Sequence, residues 1–354
     1  MSDTLTKLSY QTFQQGKNYF GLAHKMIGTR LMNMISPQEA QTKPIPPEVI
    51  PKIQERLKNL LEVDWQDAEQ GVYPTSVLFD NPWEDFFRYY PLELLDLSQR
   101  WERVKQKKYQ EFSSNVDTVG YPTYYVQNFH HQTDGYLSDL SANLYDLQVE
   151  ILFGGTADAM RRRVLAPLKA AIAQTLRTTS LHPRQVRILD VACGTGRTIR
   201  FIRATLPQAS LYGTDLSPAY LRKANELLSQ IPGELPQLIQ ANAEELPYLD
   251  NYFHAVTSVF LFHELPAAVR QSVIDEAFRV TKPGGTFIIC DSIQMSDSPD
   301  MEFFMQSFPE TFHEPYYQHY MTDNLVERLE KAGFENIETQ IHFMSKYLIA
   351  RKPA

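Results

Sequence analysis

The sequence predicts a Rossmann-like α/β fold, a doubly wound seven-stranded mixed sheet that follows a mainly helical N-terminal region. Two observations carry this prediction. From about residue 155 onwards, apolar segments of strand length alternate with segments of helical spacing. The first apolar segment, residues 188–191, leads into a turn that contains Gly194 and Gly196. Two glycines let the backbone turn tightly and approach a ligand, which is typical of the nucleotide-binding turn of this fold.

The order of the predicted elements supports a largely parallel sheet. Strands are predicted at 188–191, 210–214, 238–241, 255–260 and 286–290, with the last two near 337–343 and 347–351. Helices are predicted at 197–206, 218–230 and 322–332, and a turn at 282–285 precedes the fifth strand. Ser217 is expected to cap the second of these helices, with Pro218 in its first position.

Residues 1–154 are predicted to form the mainly α region and residues 155–354 the sheet domain. A chain of 354 residues is long enough for a second module with its own buried surface. Five prolines make residues 36–51 a stiff linker. Helices are expected at 49–70 and 91–111 with an aromatic turn at 81–90 between them, and at 138–153 and 156–178 with a break at Gly154 and Gly155.

The chemistry of the turn after the first strand favours a cationic cofactor. The third glycine of a dinucleotide fingerprint is missing, because Arg197 follows Gly196 directly. Asp190 at the end of the strand would repel a pyrophosphate. S-adenosylmethionine carries a sulfonium and an ammonium group and no phosphate, so an acidic turn suits it. Asp215 ends the second strand, at the position where an acid meets the hydroxyls of a ribose.

Four motifs together resemble the class I S-adenosylmethionine-dependent methyltransferases, and most closely the ubiquinone/menaquinone-biosynthesis type. They are residues 190–197, 213–217, 243–251 and 282–285, in the family's order and spacing. Two positions depart from the usual pattern, since Asn242 stands where the family commonly has aspartate and His254 stands where an acid often begins the fourth strand. The resemblance covers residues 155–354, and it implies that the helices entering the sheet domain form a lid over the cofactor.

The resemblance also implies which residues bind S-adenosylmethionine. Asp190 and the backbone of residues 192–196 would hold the methionine end, Asp215 would hold the ribose, and residues after the third strand would flank the adenine. The predicted cofactor-binding residues are Asp190, Ala192, Cys193, Gly194, Thr195, Gly196, Asp215, Leu216, Asn242, Ala243 and Val259.

Two aromatic, polar segments are candidates for the acceptor side of the site. Residues 121–136 supply His130 and Tyr136, and residues 301–320 supply His313 and Tyr317. Aromatic faces can sandwich a flat ring while imidazole and phenol groups orient its hydroxyls. The alternative for both segments is plain packing of the helical region against the sheet domain.

His263 is the candidate catalytic base, because it follows the fourth strand at the edge where doubly wound sheets bind ligands. It could instead only hold its loop, and Glu264 is a weaker candidate. No metal site is expected, since the adjacent His130 and His131 would point apart and no zinc-ligand spacing occurs. The basic run at 161–163 could meet an anionic substrate, although a solvated face or pairing with acids is the simpler explanation.

The amino-acid composition limits which kinds of partner and which cellular compartment we expect for the protein. A net charge of −8 and a pI near 5.6 argue against a nucleic-acid substrate. Two cysteines exclude a disulfide scaffold and favour a reducing compartment, cytoplasmic or stroma-like. Residues 4–38 lack acids, and Phe20, Ala23, Ile27, Leu31 and Met34 share one helical face there. This segment is expected to dock on the protein itself, to belong to a targeting segment or to contact a membrane surface peripherally.

These observations predict an S-adenosylmethionine-dependent methyltransferase that acts on a small aromatic or lipophilic acceptor. C- or O-methylation of a phenolic or quinol-type compound is the preferred reaction, by resemblance and by the composition of the acceptor segments. One alternative is a catalytically silent binding or assembly factor with the same fold. Another is an NAD-dependent oxidoreductase, which the missing glycine and the acidic turn disfavour.

Overall fold

The computed structural model describes residues 2–35 and 45–354 of the chain. The α-helices are α1 Ser2–Ile35, α2 Ile50–Glu69, α3 Trp83–Gln106, α4 Asp139–Leu152, α5 Ala157–Arg162, α6 Leu165–Thr178, α7 Arg197–Thr205, α8 Pro218–Ser229, α9 Ala267–Val280, α10 Glu302–Thr311, α11 Tyr317–Tyr320 and α12 Leu325–Ala332. The strands are β1 Arg187–Val191, β2 Ser210–Asp215, β3 Gln237–Gln240, β4 Phe253–Val259, β5 Thr281–Ser292, β6 Glu335–His342 and β7 Ser345–Arg351.

The seven strands form one mixed sheet in the order β3-β2-β1-β4-β5-β7-β6. Neighbouring strands from β3 to β5 pair in parallel, and β7 runs antiparallel to both β5 and β6. The predicted doubly wound mixed sheet is therefore confirmed. Each predicted strand is present, and Ser217 caps α8 by accepting a hydrogen bond from the Tyr220 N–H.

Alternate residues of the central strands face opposite layers of helices, and each face has its own apolar core. Leu189, Val256 and Phe287 pack into the core beneath α9 and α12. Ile188, Ala255 and Ile288 pack into the other core, with α6, α7 and α8. This two-residue alternation explains why the central strands are apolar throughout, since both of their faces are buried.

The N-terminal region is mainly helical, as predicted, and it shares these cores. Tyr10 of α1, Trp65 of α2 and Tyr73 are at most 3% exposed and pack in the same cluster as Ile188 of β1. Val49 joins the cluster on the opposite face of the sheet. The apolar core thus crosses the boundary that was predicted between residues 154 and 155.

Two helix predictions were wrong, and proline explains one of them. Residues 81–90 do not form a turn, because α3 begins at Trp83 and carries Pro91 inside it. Contacts with α1 stabilise this start, including a 5.7 Å ring contact between Trp83 and Phe13. Residues 156–178 do not form one helix, because α5 ends at Arg162 and α6 begins at Leu165. Pro167 lies in the first turn of α6, where its missing N–H is tolerated but would break a continuous helix.

Helix α1 docks on the protein mainly through a face other than the predicted one, although Phe20 of the predicted face contacts the Tyr90 ring at 5.2 Å. Phe20 and Ile27 are 44% and 41% exposed, whereas the buried face consists of Tyr10, Gln14, Lys17, Gly21, His24 and Gly28. Small residues let the helix approach closely, so that a Cβ on Gly21 would lie 3.5 Å from the Gly154 Cα. The predicted face also includes the side chains of Leu31 and Met34, which lie outside the part of the structure that is described.

Two further predictions concern turns and linkers. Residues 282–285 do not precede the fifth strand but form an irregularity within β5, where Thr281 pairs with Phe253 and Thr286 pairs with Ala255. The break at Gly154 and Gly155 is present, and both glycines have positive φ. Of the predicted linker 36–51, residues 36–44 lie outside the described residues. No helix among those described is long and apolar enough to span a membrane.

Candidate cofactor and acceptor site

The candidate site lies at the carboxyl edge of the parallel strands, where the strand order reverses between β1 and β4. The chain turns sharply after β1. The Cys193 N–H donates to the Thr214 carbonyl at 2.9 Å, and the Gly196 N–H donates to the Cys193 carbonyl at 2.9 Å. These bonds tie the turn to β2 and direct α7 away from the edge.

The two glycines of the turn have different tasks. Both lie in the left-handed region, with φ of 54° at Gly194 and 80° at Gly196. A Cβ on Gly196 would lie 2.9 Å from Leu228 Cδ1 of α8, whereas the nearest atom to a Cβ on Gly194 is Tyr220 Cδ1 at 4.0 Å. Gly196 therefore serves the packing of the turn on α8, and the turn has room for a ligand at Gly194. Ala192 is also left-handed, with φ of 56°, and such strain clusters at functional sites.

Asp190 is buried at the end of β1 and accepts a hydrogen bond from the Thr257 hydroxyl at 2.6 Å. Burial raises the pKa of Asp190 to about 7, and the charge of Asp215 adds to the increase, while the hydrogen bond from Thr257 and the charge of Arg161 lower it. A cation near this carboxylate would relieve the cost of burying its charge. Such an environment fits a ligand with a positive sulfonium or ammonium group.

Asp215 at the end of β2 organises the loop beside this turn. Its Oδ2 accepts from the Gly194 N–H at 2.9 Å and its Oδ1 accepts from the Ser217 N–H at 2.8 Å. Burial raises the pKa of Asp215 to about 6, although these backbone bonds lower it. Each carboxylate oxygen can accept more than one hydrogen bond. Asp215 can therefore still accept hydrogen bonds from the two hydroxyls of a ribose.

The residues that are predicted to flank the adenine are less clearly oriented toward a ligand. Asn242 Oδ1 accepts from the Glu244 N–H at 3.0 Å, and its amide nitrogen lies 3.3 Å from Glu244 Oε1, so the side chain is turned onto its own loop. Ala243 packs at the border of the apolar core. Leu216 and Val259 are half-buried at the ends of β2 and β4. Their roles toward a cofactor stay predictions.

Helices α4 and α5 lie against the turn, at the place of the predicted lid. The Thr195 hydroxyl donates to Asp146 Oδ1 of α4 at 3.0 Å. Arg197 at the start of α7 forms a 2.5 Å ion pair with Asp158 of α5. Both contacts are buried. The N-terminal region is therefore held directly on the turn after β1, residues 192–196, here named the cofactor turn.

Tyr136 connects the cofactor edge to the acceptor side. The Ser217 hydroxyl donates to the Tyr136 carbonyl at 2.6 Å, and the Tyr136 hydroxyl donates to Glu264 Oε1. The Tyr136 ring meets those of Tyr220 and Tyr145 edge-on, at 5.5 Å and 6.1 Å between centroids. Since Tyr220 also borders Gly194, these aromatic rings lie where the two parts of the site meet.

The acceptor side contains a compact group of imidazoles and carboxylates, here named the His-Glu cluster: His130, His263, Glu264 and Glu314. His130 Nε2 lies 2.9 Å from Glu314 Oε1 and 3.6 Å from Glu264 Oε1. Burial lowers the pKa of His130, but the charges of Glu314 and Glu264 outweigh it and raise the pKa to about 10. His130, His131 and Asp134 all have positive φ, so the backbone of this segment is strained.

His263 follows β4 in a short turn, and its Nδ1 lies 2.7 Å from Asp291 Oδ1 at the end of β5. Burial lowers the pKa of His263, but the Asp291 carboxylate outweighs it and raises the pKa to about 9. Asp291 is itself fixed, because its Oδ2 accepts from the Phe262 N–H at 2.6 Å. The His263 ring is thus oriented by a neighbour, with its Nε2 3.9 Å from Glu264.

The structure brings three of the predicted residues together and leaves two at or beyond the rim. His130, Tyr136 and His263 meet around Glu264. The Tyr317 ring borders them, with its centroid 6.1 Å from that of His263. His313 stands apart, stacked on Tyr109 at 4.1 Å, with Nε2 2.8 Å from Gln127 Oε1.

Sequence reasoning missed Asp291 and Glu314 as site residues. Asp291 could have been found, because it lies near the carboxyl end of a parallel strand, the edge at which this fold binds ligands. Glu314 had no such signal, since it lies in the irregular segment between α10 and α11. Only the tertiary structure places it against His130.

Comparison with known proteins agrees with this geometry. Residues 188–285 match the family described as methyltransferase domain. A demethylmenaquinone methyltransferase of Bacillus mycoides is 34% identical over 141 residues, which cover 40% of this chain and 56% of that protein. A ubiquinone/menaquinone biosynthesis C-methyltransferase UbiE of Burkholderia orbicola is 28% identical over 168 residues, which cover 47% of this chain and 63% of that protein.

The chain thus spans less than two thirds of the length of these two relatives. An uncharacterized methyltransferase of Synechocystis sp. is 31% identical over 170 residues, which cover 47% of this chain and 74% of that protein. The matched segments contain the cofactor turn and the strands that position it. With its sheet order, its glycine turn and these relatives, the chain belongs to the class I S-adenosylmethionine-dependent methyltransferases, and it is similar to proteins of the UbiE type.

Proposed function

We propose that the protein transfers a methyl group from S-adenosylmethionine to a small aromatic acceptor of the phenolic or quinol type, at carbon or oxygen. The observation that carries this proposal is the position of Tyr136. Its backbone is held by Ser217 of the cofactor edge, and its hydroxyl contacts Glu264 of the His-Glu cluster. A methyl donor bound at the cofactor edge and a hydroxylated ring bound at the His-Glu cluster would therefore lie next to each other, both beside Tyr136.

The residues of the cofactor edge fit S-adenosylmethionine. Asp190 offers a buried carboxylate to a cation, the backbone at Gly194 leaves room for a ligand, and Asp215 offers acceptor lone pairs to a diol. When bound, S-adenosylmethionine supplies a methyl group that is activated by its positive sulfur. Asp190 and residues 192–196 would hold the methionine end, and α4 and α5 would keep water from the turn.

On the acceptor side, the chain has to align a hydroxylated ring and manage one proton. Tyr136, Tyr145 and Tyr220 present aromatic edges and faces against which a flat ring can pack. His130 and His263 present polar groups to a ring hydroxyl. His263 stays the candidate for the group that removes the acceptor proton, and it can do so only in its neutral form, since its pKa is raised to about 9. Transfer forms the bond between the acceptor and the methyl carbon and breaks the bond between that carbon and sulfur, whose bonding electrons stay on the sulfur.

The relatives support a quinol-type acceptor. The names of the Bacillus mycoides and Burkholderia orbicola proteins refer to demethylmenaquinone and to ubiquinone and menaquinone biosynthesis. The aromatic lining of residues 121–136 and 301–320 suits such a ring.

The test is a radiometric assay on the purified full chain, with S-adenosylmethionine labelled in its methyl group and a panel of quinols and phenols. We expect label in the organic extract with at least one acceptor, and a loss of more than tenfold in Asp190→Asn. Label found only on protein, or no transfer to any acceptor, would overturn the small-molecule proposal.

A silent binding or assembly factor is the second candidate. Calorimetry with S-adenosylmethionine separates it from an enzyme, because a factor that only keeps the fold has no need to bind the methyl donor. We expect the parent chain to bind one equivalent. Absence of binding would favour the factor.

We further propose that α1 contacts an anionic membrane surface. Its outward side carries Leu8, Tyr19, Leu22 and Met26, each at least 50% exposed. Lys25 and Arg30 are also exposed, and residues 4–38 contain no acid. A lipophilic acceptor would be met at such a surface.

A further inference from the structure

The His-Glu cluster has the composition and spacing of a metal site. His130, His263, Glu264 and Glu314 come from three separate segments, and each places one nitrogen or oxygen atom within 4.8 Å of the other three. A tetrahedral ion with ligands at about 2.0–2.2 Å keeps neighbouring ligand atoms about 3.3 Å apart. The contacts of 2.9, 3.6 and 3.9 Å within the cluster lie on both sides of this spacing.

Glu314 supplies an independent observation. Its side chain is buried, with 2% of the residue exposed, and neither carboxylate oxygen has a hydrogen-bond partner among the described residues. Glu314 Oε1 forms a 2.9 Å ion pair with His130 Nε2, whereas Oε2 has no polar partner among the described residues. Buried carboxylates are normally hydrogen-bonded, paired or bound to a metal. Glu314 points an incompletely satisfied charge into the centre of the cluster.

His263 has the surroundings of a metal ligand. A ligating histidine usually bonds through its second ring nitrogen to a carboxylate, which fixes the ring and its tautomer. His263 Nδ1 meets Asp291 Oδ1 at 2.7 Å, and Asp291 is held by the Phe262 and Ser292 N–H groups. Its Nε2 is left facing Glu264. The Tyr136 hydroxyl donates to Glu264 Oε1, the same oxygen that His130 and His263 approach.

The donor set selects the class of ion. An ion would bind the two imidazoles in their neutral form and release their protons to solvent. The neutral imidazoles and two carboxylates then carry a charge of −2, which one divalent cation balances. Mixed nitrogen and oxygen donors suit zinc and other first-row transition metals, whereas magnesium and calcium prefer oxygen alone. The cluster is therefore matched to an ion of the zinc class.

We propose that His130, His263, Glu264 and Glu314 bind a divalent first-row transition-metal ion, and that this ion binds an oxygen atom of the methyl acceptor. The second part rests on the proposed function, and the first does not. With the ion bound, His263 is a ligand instead of a proton acceptor. The ion would then lower the pKa of an acceptor hydroxyl, whose proton passes to solvent water, and would stabilise the resulting oxyanion.

The test uses the full chain without an affinity tag, freed of metal with a chelator and titrated with zinc chloride. Calorimetry and elemental analysis after dialysis measure affinity and stoichiometry, and cobalt serves as a spectroscopic probe of the ligands. We expect one ion per chain, and at least tenfold weaker binding in Glu314→Gln. The matched control is His313→Gln, a neighbouring histidine stacked on Tyr109 outside the cluster, which should bind zinc like the parent.

Circular dichroism checks that each variant is folded, and His263→Gln provides a second cluster variant if Glu314→Gln does not fold. A parent chain that binds no stoichiometric ion would overturn the proposal and leave the cluster as a network of ion pairs. Equal binding by the cluster variants and the parent would overturn it as well. Calorimetry with S-adenosylmethionine on the same samples keeps the two proposals apart, because metal binding can fail while cofactor binding persists.

Discussion

At the scale of single residues, Asp190 shows how burial prepares a binding group. Its carboxylate has one neutral donor, Thr257, and a second acid nearby, Asp215, while Arg161 offers only partial compensation. Burial raises the pKa of Asp190 to about 7, because the charged form is costly there. A bound cationic ligand would lower the pKa of Asp190, since a cation is attracted only to the ionised carboxylate.

Affinity for S-adenosylmethionine should therefore fall as the pH decreases. Above the pKa of about 7 Asp190 is charged and attracts the cation, and below it the carboxyl is neutral. Between pH 8 and pH 6 the ionised fraction, and with it the contribution of Asp190 to binding, drops by about tenfold. Calorimetric dissociation constants at several pH values measure this dependence.

Asp190→Asn is the control for the pH series. It keeps the size of the side chain and removes its charge, so it should bind at least tenfold more weakly at pH 8. Any remaining pH dependence in the variant reports the other titrating groups, including Asp215 and the ligand itself. Parallel curves for parent and variant would contradict the assignment.

At the scale of elements, α1 differs from most surface helices, because small and polar residues form much of its buried face while several large apolar residues are exposed. Its buried face carries Tyr10, Gly21 and Gly28 together with polar residues. Several of its apolar residues, including Leu22 and Met26, are exposed. Close contact with the protein is possible because small residues meet there, as Gly21 meets Gly154 at 3.5 Å from an added Cβ. Two lysines of the helix are also used internally, since Lys7 pairs with Glu62 and Lys17 with Glu150.

The exposed apolar side of α1 should bind anionic vesicles. Replacing Leu22 and Met26, which are 50% and 60% exposed, by glutamate should reduce co-sedimentation several-fold, because apolar area is lost and charge repulsion is gained. The melting temperature should stay near that of the parent. Glutamates at Val119 and Leu249, which are 84% and 75% exposed outside α1, form the control. Unchanged sedimentation of the α1 variant would end the membrane proposal.

At the scale of the whole molecule, buried ion pairs join the N-terminal region to the sheet domain. The basic run of Arg161, Arg162 and Arg163 is not a solvated face, since all three are at most 6% exposed and pair with Asp158, Asp64 and Asp67. The Arg162 guanidinium meets Asp64 with two bonds, at 2.9 and 2.6 Å. Tyr10 and Tyr73 donate to the same carboxylate at 2.5 and 2.6 Å.

Asp64→Asn should lower the free energy of unfolding by about 3–5 kcal/mol, because it leaves the buried Arg162 charge uncompensated. Urea denaturation, followed by circular dichroism and by tryptophan fluorescence, measures the change. Both signals should share one midpoint, because the two regions share a core. Asp139→Asn, which breaks the exposed pair with Arg222, should leave the stability unchanged. A stability of Asp64→Asn equal to that of the parent would contradict this role.

Local sequence patterns were sufficient to predict the sheet domain and the class of its cofactor. Strand periodicity, two glycines and two acids at strand ends are local signals, because a parallel strand between helices must be apolar on both faces and its ligand turn must lack Cβ atoms. Proline positions and aromatic clusters were less informative. The helical start of α3 depends on contacts with α1, which no local pattern encodes.

Local patterns could not show which residues meet on the acceptor side or which face of α1 docks on the protein. His130, Glu264 and Glu314 are far apart in the chain, and their meeting depends on where three irregular segments are held by packing. The docking face of α1 was likewise decided by shape, since glycine contacts and buried ion pairs outweighed the apolar stripe. The periodicity of apolar residues predicts which side of one helix or strand is buried. The geometry of a site that is made of several loops depends instead on how the whole chain packs.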